Sequence, residues 1–336
     1  MSEQYQPLFQ ITDRIVSLTG EISEQVGMIS VMDRERPNPR LRRESRVRTI
    51  HSSLAIEQNT LTLEQVTAII NGKRVLGNPN EIKEVKNAYQ AYELMLTLDP
   101  SSVKDLLKAH KMMMAGLLRD GGQFRSGGVG VFAGTTAVHM APPAKFVQGH
   151  VRDLFAWYKK SELHPLVKSA VFHYEFEFIH PFSDGNGRMG RMWHSLLLGQ
   201  WREVFFWLPV EELIRKRQSE YYDALGASTA GGNCAVFVEF MLEIISDTIG
   251  EIVRDGWNTD QDNDQDTDQD KSAVERLMLV LGEETLSAVE MMRRLHLSHR
   301  PTFRQNYLNP ALEQGVIERT IPDKPNSKNQ KYRKTQ

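Results

Sequence analysis

The sequence predicts a mainly α-helical chain with one short β-hairpin and a small C-terminal helix-turn-helix unit that carries a wing. Three observations lead there. Apolar residues recur at helical spacing through most of the chain, one glycine-rich stretch switches to alternation, and an acidic polar tract sets off a basic final segment.

The helices come in order. Ile11, Ile15, Leu18, Ile22 and Val26 mark a first helix over Ile11 to Gly27. Leu63 to Ile70 is next, with Thr62 as N-cap. Asn78 caps a run from Pro79 to Leu98, where proline suits the first helical position. Val103 to Leu118 follows, capped by Ser101 or Ser102. Lys145 to Lys160, Leu166 to Ile179, Arg188 to Trp201, Pro209 to Leu225 and Val236 to Ile252 continue the series. Between Gly121 and Pro143 glycines cluster, and Val129, Val131 and Ala133 alternate, which reads as a hairpin.

Thr259 to Asp270 holds six aspartates among polar residues and nothing apolar. Such a segment cannot bury surface to offset its ordering entropy, so it reads as a self-repelling linker over 258–271. Its spacing also resembles the start of a calcium loop, but the glycine and closing glutamate of that pattern are missing. Beyond it, Ala273 to Leu281, Ser287 to Leu295 and Pro301 to Gln314 read as helices, with Pro310 able to kink the third. Val316 to Thr320 and Gln330 to Arg333 read as strands. That order is a winged helix-turn-helix over 272–336. From Lys271 to the end, 12 lysines and arginines exceed 7 acids. The remaining expected regions are 1–120, helical, and 121–257, a core with its hairpin at 121–143.

Bulk properties exclude several classes. The formal net charge of −2 over 336 residues gives no polyelectrolyte signal for nucleic acid or membrane. One cysteine, Cys234, excludes an intrachain disulfide and a zinc site built on cysteine pairs. Met1 to Asp13 has no apolar stretch of signal-peptide type, and no run of about 18 apolar residues occurs. The expectation is a cytoplasmic protein without a membrane partner.

The chemistry concentrates in His180-Pro181-Phe182-Ser183-Asp184-Gly185-Asn186-Gly187-Arg188-Met189-Gly190-Arg191. Pro181 ends one helix, the glycines permit a tight turn, and helical spacing resumes at Met189, Met192, Leu196 and Leu197. A glycine-rich turn feeding a helix N-terminus offers unpaired backbone N–H groups to an anion such as phosphate. Arg188 and Arg191, three apart, share a face and can add charge to phosphate oxygens. Asp184 is a hard oxygen ligand suited to Mg²⁺. His180 can take a proton from a hydroxyl near neutral pH. Each piece alone is ordinary; together they describe phosphoryl or nucleotidyl transfer.

These residues match the Fic signature, His-Pro-Phe-x-(Asp/Glu)-Gly-Asn-Gly-Arg-x-x-Arg, at every fixed position. The resemblance runs over about Phe9 to Arg254 and includes Gly122-Gln-Phe-Arg125, Pro142-Pro143 and Tyr221-Tyr222. It implies the Fic helical fold and transfer of AMP from ATP, with Mg²⁺, to a Ser, Thr or Tyr hydroxyl of a target protein, the chain itself included. His180 would be the base and Asp184 the metal ligand. Gly185, Asn186, Gly187, Arg188, Met189, Gly190 and Arg191 would bind nucleotide, with Arg191 toward the γ-phosphate and Arg217 and Tyr221 at the adenine. The hairpin resembles the family's flap, which docks the target by strand addition. Ser53-Leu54-Ala55-Ile56-Glu57 resembles the family's inhibitory helix, here over 53–59, in which Glu57 pairs with Arg191. A homodimer is also implied by the resemblance.

Other residues have plainer readings. His173 fits a core histidine, Glu175 a backbone contact or a solvated acid, and Tyr221 and Tyr222 core aromatics. His139 in the flap fits a structural or target-facing role. In the C-terminal unit Arg300, Thr302, Arg304 and Gln305 sit where helix-turn-helix proteins reach base edges, which makes DNA a partner to weigh against protein contacts. That supports the alternative of a DNA-binding regulator using the core as a nucleotide sensor. Removal of AMP is a further direction the sequence leaves open.

Overall fold

Local signals set the helix ends. Thr62 Oγ1 accepts from Gln65 N–H (3.3 Å) while Thr62 N–H donates to the Gln65 side chain (2.9 Å), a reciprocal capping box. Asn78 and Ser102 cap their helices with one bond each, accepting from Asn80 N–H and Asp105 N–H. His164 caps the helix that begins at Pro165.

The computed structural model describes residues 5–35, 39–133, 136–255, 273–282, 284–295, 303–322 and 330–335. The chain divides into two compact units, Met1–Gly256 and Trp257–Gln336. The first contains α1 (Asp13–Glu35), α2 (Pro39–Ile56), α3 (Leu63–Ile70), α4 (Pro79–Met95), α5 (Val103–Met113), β1 (Gly130–Ala133), β2 (Thr136–Met140) and α6 (Ala144–Lys160). It continues with α7 (Pro165–Ile179), α8 (Asn186–Trp201), a 3₁₀ turn (Glu203–Phe206), α9 (Val210–Lys216), α10 (Gln218–Gly231) and α11 (Ala235–Asp255). The expected 1–120 and 121–257 regions lie within this one packed unit, because α1 packs along α11 and α4 and α5 pack against α8.

At the centre α7 and α8 form a helical hairpin, buried on nearly every side. α8 carries fully enclosed Met189, Met192, Trp193, Leu196 and Leu198. A helix enclosed on every side belongs in the middle of a domain, and α8 buries Arg188, Arg191 and His194 there beside its apolar residues.

Several expected boundaries move. The first helix extends to Glu35. The fifth stops at Met113, where turns lead to Gly116 at φ +66°, so Val103 to Leu118 is shorter than its pattern. Pro209 to Leu225 is two helices joined at Arg217, whose φ of −111° and ψ of 34° leave the helical region.

α2 is the helix that periodicity does not show. Its buried positions include Ser45, Thr49, Ser52 and Ser53 among Val47, Ile50, Leu54 and Ile56, so no apolar stripe stands out. Tertiary bonds hold it instead. Arg46 donates to Tyr92 O (2.9 Å) and Phe206 O (3.0 Å), tying α2 to α4 and the 3₁₀ turn.

The hairpin β1–β2 is antiparallel, pairs Gly130 with Met140, and slips register between Val131 and Phe132. The C-terminal unit holds α12 (Ala273–Leu281), β3 (Leu286–Ser287), α13 (Ala288–Arg294), a π-turn (Arg304–Leu308) running into α14 (Asn309–Glu313), β4 (Ile317–Arg319) and β5 (Lys331–Lys334). Its sheet order is β3-β5-β4, antiparallel, around Leu277, Leu281, Met291, Phe303, Leu308, Ala311, Ile317 and Tyr332. Pro310 lacks an N–H, and the π-turn precedes it with Asn309 N–H reaching back to Arg304 O. The acidic tract 258–271 lies outside the described residues. Among the described residues no helix is long and apolar enough to cross a membrane.

Candidate active site

The motif occupies the turn between α7 and α8. His180 ends α7 in the left-handed region at φ +49°, ψ 63°, a conformation few non-glycine residues adopt outside functional sites. Gly185, at φ +83°, leads into α8. Between them Asn186 folds back: its Oδ1 accepts from Phe182 N–H (2.8 Å) and its Nδ2 donates to Phe182 O (2.9 Å). Its side-chain amide thus shapes the turn internally and does not face an incoming nucleotide.

Two residues from elsewhere brace this turn. Buried Arg125 donates to four carbonyls: His180 O (2.7 Å), Ile179 O (3.2 Å), Gly127 O (2.8 Å) and Pro142 O (2.6 Å). One guanidinium therefore ties both feet of the hairpin to the start of the motif. His110 of α5 is stacked on Phe182 at 3.6 Å and 7°. Its Nδ1 accepts from Gly122 N–H (2.9 Å) and its Nε2 donates to Asp184 O (3.0 Å). One acceptor and one donor require the neutral ring, and burial pushes its pKa down to about 4. Sequence reasoning missed His110, because its partners lie more than 10 and more than 70 residues away.

His180 Nδ1 donates to Glu177 O (3.3 Å), which places its ring proton there and the lone pair on Nε2. Asp184 is largely exposed; its Oδ1 accepts from Gly185 N–H (2.5 Å) and from Arg188 (3.0 Å). Arg188 also lies 3.5 Å from Glu84, whose other oxygen accepts from Asn59 (2.8 Å) just past α2. Arg191 is enclosed, with its side chain 1% exposed. It donates to Glu57 Oε1 (2.8 Å), Ser53 O (2.9 Å) and Ser53 Oγ (3.2 Å). The Glu57 carboxylate raises the guanidinium pKa against the opposing cost of burial. That carboxylate also lies over Gly187, where a Cβ would come within 2.4 Å of Oε1. The mouth of the α8 N-terminus is thus filled by an internal anion.

The end of α2 is fixed at Gln58, at φ +69°, with Asn59 N–H reaching Leu54 O (3.1 Å). Gln58 does in a left-handed cap what glycine or asparagine does more readily. Gln218 donates to Ile56 O (3.2 Å) and holds the same end from α10.

Other expected residues lie elsewhere. Met189 is fully buried, so its side chain faces the core. Gly190 faces inward as well: a Cβ there would meet Glu177 Oε1 at 2.3 Å. Arg217 pairs with Glu220, Glu243 and Asp247 and lies over Phe240, so its charge is already matched. Tyr221 is 2% exposed, and its hydroxyl meets His173 Nε2 at 3.2 Å; an enclosed ring offers no face to an adenine. Tyr221 and His173 are core residues. Glu175 accepts from Tyr5 OH, tying the N-terminal segment to α7. Of the expected DNA contacts, Arg300 and Thr302 lie outside the described residues, as does the Gln305 side chain, while Arg304 is exposed. The side chain of His139 is likewise outside them.

Fold and site define a helical protein whose candidate site lies on the turn between two buried helices, with a hairpin rooted on the same turn. The Fic/DOC family profile matches residues 100–198, and the Fic-like C-terminal domain profile matches residues 272–335. A crystal structure of a Fic family protein from Desulfovibrio desulfuricans G20 is 51% identical over 98% of both chains, with a TM-score of 0.76. This chain belongs to the Fic family. A protein adenylyltransferase Fic from Aedes aegypti is 28% identical over 232 residues, 66% of this chain and 44% of that one. The chain thus spans under half the length of the curated relatives it matches. Fic-1 of C. elegans, at 21% identity and a TM-score of 0.59, shares the fold over 73% of this chain.

Proposed function

We propose that this chain transfers AMP from ATP to a Ser, Thr or Tyr hydroxyl of a protein, itself included, and that Glu57 restrains it. The observation that carries the reading is the Arg191–Glu57 pair: an enclosed guanidinium, at the mouth of a glycine-rich helix N-terminus, whose counter-anion comes from another helix and remains about one-third exposed. A buried arginine needs a negative partner, and a nucleotide's terminal phosphate and Glu57 compete for that role.

In the transfer, His180 Nε2 takes the hydroxyl proton as the oxygen attacks the α-phosphorus. The new O–P bond forms as the bond to the β-phosphate oxygen breaks, and pyrophosphate leaves. The α8 N-terminus and Arg188 hold phosphate oxygens. Asp184 is the residue that would hold Mg²⁺. Its exposed carboxylate fits an ion that arrives with phosphates, since Mg²⁺ uses one or two carboxylates and takes its other ligands from phosphate and water. When bound, that ion would neutralise charge on the phosphates. Among the described residues β1 and β2 pair only with each other, which leaves a strand edge for a target segment.

Incubation with labelled ATP and Mg²⁺ tests this. Wild type labels itself weakly, Glu57→Gly strongly, and His180→Ala not at all. If Glu57→Gly labels like wild type, the restraint is wrong; if neither labels any protein, the transfer is wrong.

The C-terminal unit supports a second reading, a winged helix that binds DNA. Three helices packed on a β3-β5-β4 sheet, exposed Arg304 and an excess of basic residues favour it. A gel shift that weakens with salt and disappears on deleting 271–336 is the expected result. No shift at low salt overturns it.

A further inference from the structure

Glu177 is the carboxyl the transfer scheme leaves unused. It lies on α7 one turn before His180 and is 4% exposed. Its Oε1 has no hydrogen-bond partner among the described residues. Oε2 lies 3.8 Å from His180 Nδ1, the nitrogen that carries the ring proton. Oε1 lies 3.8 Å from His173 Nε2 and against the backbone of Gly190. Residue 190 has no room for a side chain because this carboxyl occupies the space: a Cβ would come within 2.3 Å of Oε1. A buried acid, incompletely bonded and set behind the imidazole on its protonated side, is an expensive arrangement for a structural role alone.

We propose that Glu177 is a positioning residue for the transfer reaction: its carboxylate orients the His180 imidazole and balances the positive charge that ring acquires on taking the hydroxyl proton. This rests on the reading of His180 as the base. The charged and titratable groups facing Glu177 come from four elements. On its own helix and turn these are His173 and His180. Arg191 comes from α8, Glu57 from the turn that ends α2, and Tyr221 and Tyr222 from α10.

The surroundings also decide when the carboxylate forms. Burial raises the Glu177 pKa to about 8, Arg191 opposes that rise, and Glu57 adds to it. While Glu57 sits on Arg191, Glu177 is mostly neutral near pH 7. With Glu57 removed and no nucleotide bound, the Glu57 contribution is gone and the acid ionises more readily.

The test compares full-length Glu57→Gly with Glu57→Gly/Glu177→Gln, a near-isosteric change. The His180 imidazole is titrated by NMR on histidine-labelled protein, with His180→Ala identifying its signal. The expected result is a His180 pKa lower by about one pH unit or more in the glutamine variant, the size of effect a nearby carboxylate has. The acid limb of the single-turnover rate moves down by the same amount. The maximal rate falls about tenfold or more, within the range for a positioned proton-transfer group, while ATP affinity stays within about twofold. Glu177→Asp in the same background recovers part of the pKa and, should the glutamine variant not fold, supplies the comparison. Equal His180 titrations in the variant and its Glu57→Gly parent overturn the proposal. Because the titration needs no turnover, it reads the Glu177–His180 coupling even where Glu57→Gly labels nothing, an outcome that defeats the transfer reading itself and is told apart from equal titrations.

Discussion

Two arginine–glutamate pairs, one in each unit, show how differently the same chemistry is used. Arg191–Glu57 joins α8 to the turn that ends α2, two residues 134 positions apart, with the guanidinium sealed from water and bonded to Ser53 as well. Arg333–Glu318 bridges neighbouring strands of the C-terminal sheet at 2.6 Å, with side chains 60% and 42% exposed. Around Arg191 lie Glu177, His173 and His194, all buried, each with a side-chain nitrogen or oxygen that has no partner among the described residues. The described core of the C-terminal unit is almost entirely apolar. One unit accepts the cost of burying titratable groups where chemistry is expected of it; the other keeps its charges in solvent, where they cost and contribute little.

Glu177→Gln should give the larger stability effect. A carboxyl whose folded pKa is raised binds its proton more tightly in the folded chain than in the unfolded one. Folded stability therefore falls as pH rises from about 4.5 toward about 8, the value burial imposes. Removing the carboxyl removes that loss. The glutamine variant should be more stable than its parent by about 2–4 kcal/mol at pH 7–8, since each pH unit across that interval is worth about 1.4 kcal/mol, and equal to it near pH 4. Urea unfolding at a series of pH values measures this. A pH-independent difference would mean the acid is not neutral in the folded chain, and the contrast between the units would narrow. At the small end, Arg333→Ala should change stability by no more than about 1 kcal/mol, with the change shrinking in high salt. A loss of several kcal/mol there would break the comparison from the other side.

The parts of the molecule legible in sequence are those whose cause is local. The motif turn is readable because Pro181, Gly185 and Gly187 punctuate it, and the caps at Thr62 and Asn78 because a cap and its partner lie within three residues. α2 is not, because serines and a threonine line its buried face, and only the resemblance over 53–59 points to it. Arg125 stands out in sequence as part of a motif without its role, and His110 and Glu177 do not stand out at all. Their meaning lies in contacts that only the fold supplies. The adenine assignment for Arg217 and Tyr221 follows from resemblance; a cluster of carboxylates holds the first and His173 the second. Polar residues engaged inside a core cannot be told by sequence alone from residues waiting for a ligand.

The guanidinium of Arg125 has a mechanical consequence. Because it grips Gly127 and Pro142 at the hairpin's root and the His180 carbonyl at the same time, the hairpin and the His180 ring share one fixed point. On the proposed reading, a peptide laid along the hairpin would find its distance to the imidazole already set, before any part of it had touched the ring.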